Sequence, residues 1–380
     1  MVAPPRVPLP WRFEHAFESI HRDTHDACFT STPFAIAFRP PSRAVDASRD
    51  MIGPEQLAKG ELAENSGDYL AAAAAYRSVT SVANTELAAD AHFRMGRIFW
   101  RLGRFDVAMA AFDNARALAE KAGATELQAR AQNGAGAVHY ALRDYPSARA
   151  AYGTSRELTR DPAMRGKVTL NLGVIENILG DFEQAREHYE AAYRAFVEEG
   201  DNPSATLALH NLGMVEAGLM RWPAAAASFR AALALATEAG NRDMIAKTLV
   251  NQSEVLVAQG ELAEALAQCD RALLIYDDLG DELGRGETLR WRAHALARGG
   301  DHGPAERSAS EALQIAVRCG ARLLEAEAAR DLGELRRLSG DQEGSHKLLQ
   351  RALVLFTELG VEREANALRE QIGVGDGHDS

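Results

Sequence analysis

The feature that most constrains this chain is a self-similarity with a period of about 40 residues. Related positions fall at Gly60, Gly96, Gly136, Gly173, Gly213, Ser253, Ala293 and Gly333. Their spacings are 36, 40, 37, 40, 40, 40 and 40. Seven residues after each comes a turn residue, usually glycine: Gly67, Gly103, Arg143, Gly180, Met220, Gly260, Gly300 and Gly340. Five further on lies a small residue, from Ala72 and Ala108 through Ser345, and four beyond that a packing residue: Tyr76, Phe112, Tyr152, Tyr189, Phe229, Cys269, Ala309 or Leu349. A chain of 380 residues would ordinarily be counted as two or three domains, but a period of this length signals stacked supersecondary units instead.

Each unit reads as two helices joined by a tight turn. Glycine closes the first helix, because it takes the left-handed conformation at little steric cost. Alanines at helical spacing in the second helix allow close backbone approach, and the ring four residues later fills the space between the pair. Pro146 and Pro223 stand at starts of second helices, where a missing N–H costs nothing. A second glycine ends the unit at Gly123, Gly200, Gly240, Gly280, Gly320 and Gly360, and Asp161-Pro162 does so in the 37-residue unit.

These residues resemble the tetratricopeptide repeat, in eight copies over roughly residues 51–360. The 40-residue form is similar to the repeats of kinesin light chains, of spindle G-protein regulators, and of bacterial sensor–regulators such as the maltose activator and the Rap phosphatases. The resemblance implies an all-α fold, a right-handed superhelical solenoid of antiparallel helix pairs, over residues 51–372 with a capping helix at 361–372. Residues 1–50, rich in proline and out of register, read as an irregular extension, and residues 373–380 as a disordered tail.

Composition and motifs narrow the function. Apolar residues at 46% and charged residues at 25% are globular proportions. No apolar run approaches the ~20 residues of a membrane-spanning helix, and prolines interrupt any N-terminal signal, so the chain reads as soluble and cytoplasmic with no membrane partner. Cys28, Cys269 and Cys319 are too scattered for a disulfide framework or zinc cluster. The patterns GxxxxGK[ST], GxSxG and HExxH are absent, which leaves no expected catalytic residue, metal or cofactor. His21, His25 and Cys28 share a face if helical, but lie in the irregular extension and carry no metal expectation. The sequon Asn251-Gln252-Ser253 sits within a repeat helix and is read as incidental.

A net charge of −12 argues against nucleic acid as a partner. Residues 90–170 nevertheless carry 13 Lys/Arg against 8 Asp/Glu, a surplus of +5 that leaves −17 elsewhere. In the resembling family the first helix of each repeat lines a concave groove. The matching positions here form a ladder, Asn133, Asn171, Asn211 and Asn251, whose amides offer donor and acceptor to an extended peptide, or alternatively satisfy backbone groups of a neighbouring helix. Arg94, Arg97 and Arg101 form one stripe, continued by Arg104 in the turn. Arg130 and Lys167 occupy a groove position on the next two units, with Trp100 and Tyr140 beside the patch. Asp90, Asp106 and Asp113 are candidates to neutralise part of it. Leu170, Val174, Ile178 and Met214 supply an apolar floor, and His210 a titratable contact. The last repeats carry Glu287, Arg290, Trp291, His294, Glu327, Arg330, Asp331 and Glu334, a mixed set that reads as a self-paired solvated face.

The expected function is a non-enzymatic scaffold or adaptor whose groove holds an extended, acidic segment of a protein or peptide partner. Alternatives are a sensor that binds a small ligand or signalling peptide and acts on an output partner in trans, and, last, an enzyme built on the repeats. Helical repeats also dimerise through capping helices, so a homodimer is a further expectation.

Overall fold

The computed structural model describes residues 52–373, which places the proline-rich extension, the His21, His25 and Cys28 triplet, and residues 374–380 outside the described residues. The described residues form seventeen α-helices and no strand. They are α1 (Ile52–Asn65), α2 (Tyr69–Arg77), α3 (Thr85–Arg101), α4 (Phe105–Ala122), α5 (Thr125–Ala141), α6 (Tyr145–Leu158), α7 (Pro162–Ile178), α8 (Phe182–Glu199), α9 (Asn202–Gly218), α10 (Trp222–Glu238), α11 (Arg242–Gln259), α12 (Leu262–Leu279), α13 (Glu282–Arg298), α14 (His302–Cys319), α15 (Arg322–Ser339), α16 (Gln342–Glu358) and α17 (Glu362–Ile372). The odd-numbered helices α1 to α15 carry the eight repeat-start positions from Gly60 to Gly333, so the register read from the sequence is the register of the helix pairs. None of these helices is long and apolar enough to cross a membrane.

The chain divides into two compact units, residues 52–208 and 209–373, with the division inside α9. In the first, α1–α2, α3–α4, α5–α6 and α7–α8 pack as pairs, and α2, α4 and α6 pack on α3, α5 and α7. First helices also touch directly, α1 on α3 and α3 on α5. The second unit repeats this order, with α11 on α13 and α13 on α15, and ends with α17 against α16. On α17 Ala365 and Leu368 are buried in that contact.

The turns are set by backbone chemistry. At Gly180 φ is +82°, and the following Asp181 accepts a hydrogen bond from the Gln184 N–H at 3.1 Å, capping the next helix. Asp68, Asp144 and Asp341 cap in the same way. Arg143 and Met220 hold the same turn position with φ of +61° and +56°, the two non-glycine residues there.

The key glycines explain how the two helices of a pair meet. A Cβ at Gly96 would lie 2.6 Å from the Phe112 ring, at Gly136 2.6 Å from Tyr152, at Gly173 2.7 Å from Tyr189, and at Gly213 2.7 Å from Phe229. Each ring fills the space beside bare backbone and is fully buried, an arrangement that contributes about 1.5–3 kcal/mol per ring. Where the start position carries a Cβ, its partner shrinks: Ser253 is matched with Cys269, and Ala293 with Ala309, all four buried.

Candidate functional site

In the 52–208 unit the arginine stripe runs along α3. Arg94 Nε donates to Asp90 Oδ2 at 2.7 Å and its guanidinium also pairs with Glu61 on α1. Burial works against its charge, but Asp90 and Glu61 outweigh that and raise its pKa. Arg97 donates to Glu64 Oε1 at 3.0 Å. Arg101 is exposed, with its guanidinium 3.3 Å from the Tyr69 hydroxyl and above that ring. Arg104 stacks on Phe99 at 5.3 Å. Of the three aspartates expected to neutralise the patch, Asp90 pairs within it, while Asp113 pairs with Arg116 at 3.5 Å. Glu61 and Glu64 are counter-ions on the preceding first helix that the sequence reading did not single out.

Arg130 on α5 lies over the Phe93 ring at 4.4 Å. The carboxylate it meets is Asp90, at 3.9 Å, which Arg94 already holds more closely. Burial lowers the Arg130 pKa; Asp90 opposes the shift, and Arg94 and Arg97 add to it by repulsion. Lys167, at the equivalent place on α7, is half-buried. Trp100 and Tyr140 are buried between helices: Trp100 Nε1 donates to the Ala137 carbonyl at 3.3 Å, and Tyr140 meets Tyr145 edge to face at 6.2 Å. The ladder amides also meet here. Asn171 Nδ2 on α7 donates to Asn133 Oδ1 on α5 at 3.1 Å, both residues being buried. Leu170 and Val174 are buried around Asn171, with Ile178 half-buried at the end of α7.

In the 209–373 unit the ladder continues with a hydrogen-bond chain whose direction is fixed. Thr248 donates its one hydroxyl proton to the Met244 carbonyl at 2.7 Å, so it accepts from His210 Nδ1 at 3.1 Å. His210 Nε2 is then an acceptor, and Asn251 Nδ2 donates to it at 3.1 Å. The imidazole is therefore the neutral Nδ1–H tautomer. Burial pushes its pKa down to about 4, aided by Lys247 and opposed by Asp243, and the ring lies edge-on to Phe229 at 5.7 Å. Because Asn251 commits its amino group to the ring, its carbonyl oxygen points away from it. Asn211, 2% exposed, has no hydrogen-bond partner for either amide atom among the described residues, and Met214 is buried one turn on.

The mixed-charge set sits on α13 and α15. His294 Nε2 lies 2.7 Å from Asp331 Oδ2, and Arg330 Nε lies 3.3 Å from Asp331 Oδ1. Burial opposes ionisation of Asp331, but His294, Arg330 and Arg290 outweigh it and hold its pKa well below the usual carboxylate range. The set pairs largely with itself; Arg290 and Asp331 are buried and the others half-buried, so it is less solvated than alternating charge suggests. Glu254 was not among the sequence candidates, since a single glutamate following Ser253 carries no pattern of its own. Among the described residues no group of three or more His, Cys, Asp or Glu is placed to hold a metal ion.

Residues 87–161 and 166–238 match the family model of the tetratricopeptide repeat. Among solved structures, a signal transduction ATPase with numerous domains and a tetratricopeptide repeat sensor, from Pyrococcus horikoshii, is similar with a TM-score of 0.62 at 12% identity, over 93% of this chain and 55% of that one. Aspartyl phosphate phosphatase F from Bacillus subtilis is similar with a TM-score of 0.54 at 12% identity, over 88% of this chain and 96% of that one. A Rap protein complexed with competence and sporulation factor gives 0.54 at 11% identity, over 84% and 96%. At these identities the likeness is one of fold. No curated protein sequence matches the chain. Residues 87–161 and 166–238 are tetratricopeptide repeats, and the helix pairs on either side of them follow the same sequence register.

Proposed function

We propose that the chain is a non-enzymatic interaction module whose first-helix faces hold an extended segment of a protein or peptide partner, and that the 52–208 face takes an acidic stretch. The observation that carries this reading is Arg130. It is packed beside Arg94 and Arg97, and its carboxylate, Asp90, is shared with Arg94. Arg101 stands exposed on the same stripe. A cation held among cations is stabilised by any anion that reaches it, and a guanidinium offers a carboxylate paired donors. The Arg94 and Arg97 pairs with Glu61, Asp90 and Glu64 then hold the stripe in place rather than bind the partner.

The test is fluorescence anisotropy at low salt with extended peptides that are acidic, neutral or basic at otherwise constant sequence. Acidic peptides should bind best to the intact chain. Replacing Arg101→Glu together with Arg130→Gln should weaken them at least tenfold while leaving the helical circular dichroism unchanged. Equal affinity for neutral peptides, or unchanged binding to the double variant, would sink the acidic part of the proposal.

A regulatory version of the same module draws support from two neighbours. The Pyrococcus protein's repeats are described as a sensor, and the Rap protein was solved with competence and sporulation factor bound. In that version the bound peptide is a signal read by an output partner in trans. A rise in melting temperature on adding a short peptide alone, without the partner, favours it, since only native-state binding stabilises.

A further inference from the structure

The 209–373 unit carries a second polar set on its first helices. On α11, Lys247, Asn251 and Glu254 follow at i, i+4 and i+7; on α13, Glu287, Trp291 and His294 do; on α15, Glu327, Asp331 and Glu334 do. That spacing puts each triplet on one helix face, and α11 packs on α13 and α13 on α15. Most of these charges are matched. Asp331 meets His294 and Arg330, and Arg290 stands 3.4 Å from Glu327 and 3.6 Å from Asp331 while lying over the Trp291 ring at 5.0 Å. Lys247 pairs with Asp243 at 2.8 Å. Glu254 and Glu287, both half-buried, are the exceptions: the cation that acts on both is Arg290, and its ion pairs are with Glu327 and Asp331.

Two further side chains on this unit are buried and incompletely satisfied. Asn211, at the matching register on α9, has no hydrogen-bond partner for either amide atom among the described residues. Arg290 is 9% exposed, and its Nε donates to nothing among the described residues. A buried polar group left unmade is costly, so a unit that keeps several on one set of faces is built to be completed from outside.

We propose that the first-helix face of the 209–373 unit is a recognition site for a basic side chain, the ammonium of a lysine or the guanidinium of an arginine, carried on an extended segment. Glu254 and Glu287 receive the cation beside the Trp291 ring, over which Arg290 already lies, and the amides of Asn211 and Asn251 hold the adjoining backbone. The inference rests on the reading that first-helix faces take an extended segment, and adds a subsite of opposite sign to the arginine stripe.

The electrostatics give this site a signature. Burial pushes Glu254 up to about 8, with Arg290 pulling it down and Glu327 pushing it further up. Burial also pushes Glu287 up to about 7, reinforced by Glu327 and Asp281 and opposed by Arg290 and Lys247. Near neutral pH both acids therefore hold much of their proton. An arriving cation favours their ionised forms, so binding expels protons and tightens as pH rises through this range.

The experiment uses the full chain and alanine–serine heptapeptides that differ only at the centre, which is Arg, Lys, Gln or Glu. Calorimetric titration at pH 7 in two buffers of different ionisation enthalpy reads affinity and proton release together. Arg and Lys peptides should bind at least tenfold more tightly than the Gln peptide and release about one proton. Glu254→Gln with Glu287→Gln should abolish that preference and the proton release, and at the same time raise the melting temperature at pH 8. A variant that becomes more stable as it loses binding has not misfolded. A preference retained by the double variant, or basic binding without proton release, overturns the proposal. If acidic peptides still bind through Arg101 and Arg130 while basic ones gain nothing, this inference alone fails; if no peptide of either sign binds, the reading of the first-helix faces fails with it.

Discussion

Substituting Gly213→Ala tests how the two helices of a repeat are keyed together. The new Cβ would sit 2.7 Å from one ring carbon of Phe229 and 2.8 Å from the next, where ordinary carbon contact begins near 3.4 Å. The fully buried ring must retreat by several tenths of an ångström into a packed slot, a strain of about 1–3 kcal/mol. Alanine's advantage over glycine inside a helix, about 1 kcal/mol, offsets part of it. Removing the ring with Phe229→Ala should cost about 3–5 kcal/mol through the lost transfer energy and the cavity. In that background the sign of Gly213→Ala should invert. The methyl group enters space the ring has left, and the helix preference remains, so the double variant should be about 1 kcal/mol more stable than Phe229→Ala alone. It also recreates the Ala293 and Ala309 combination that the chain already uses. Urea unfolding followed by circular dichroism gives the cycle if the denaturant slopes agree across the four proteins. Hydrogen exchange of the α10 amides localises the effect, because a repeat protein need not unfold in one step. Additivity within about 0.5 kcal/mol would refute the reasoning, since it would mean that the glycine and the ring do not share one space.

Two other outcomes follow from the turns and the buried acids. Arg143→Gly and Met220→Gly should each raise stability by about 0.5–1 kcal/mol, because an L side chain in the left-handed region carries strain that glycine does not; a loss in both would mean these side chains contribute packing that exceeds the strain. The raised carboxyls set a pH dependence of definite sign. Their stabilising protonated state is fully present below the ordinary glutamate pKa of about 4.5 and is lost as pH climbs through about 7 for Glu287 and about 8 for Glu254. The denaturation midpoint of Glu254→Gln relative to the parent should therefore rise steadily between pH 5 and pH 8, by the equivalent of about 1–2 kcal/mol once partial solvent screening is allowed for. A pH-independent difference would show that Glu254 titrates normally.

Helix pairs and their register were legible because they depend on local chemistry repeated eight times. Even Arg143 and Met220 could be read as turn residues from position alone, and both take the left-handed conformation. That Asn133 and Asn171 come from one face of neighbouring first helices was legible for the same reason. Who pairs with whom across that face was not. Arg97 finds Glu64 on the preceding first helix, and Asn171 finds Asn133, contacts set by how neighbouring repeats are offset rather than by any spacing within one. The raised pKa values of Glu254 and Glu287 were further still from view, since they arise from burial between neighbouring helices.

The match between bare backbone and ring has a consequence for how such a chain can be rearranged. A first helix bearing Gly173 or Gly213 requires a second helix bearing Tyr189 or Phe229, whereas one bearing Ser253 or Ala293 requires Cys269 or Ala309. Exchanging single helices between repeats would set a methyl group against a ring or leave glycine facing a void. Exchanging whole hairpins would keep these keys with their locks and leave only the contacts to the next repeat, such as Gly134 on Phe112 and Gly284 on Tyr276, to be matched. The smallest interchangeable part of this protein, for a genome or an engineer, is therefore the helix pair.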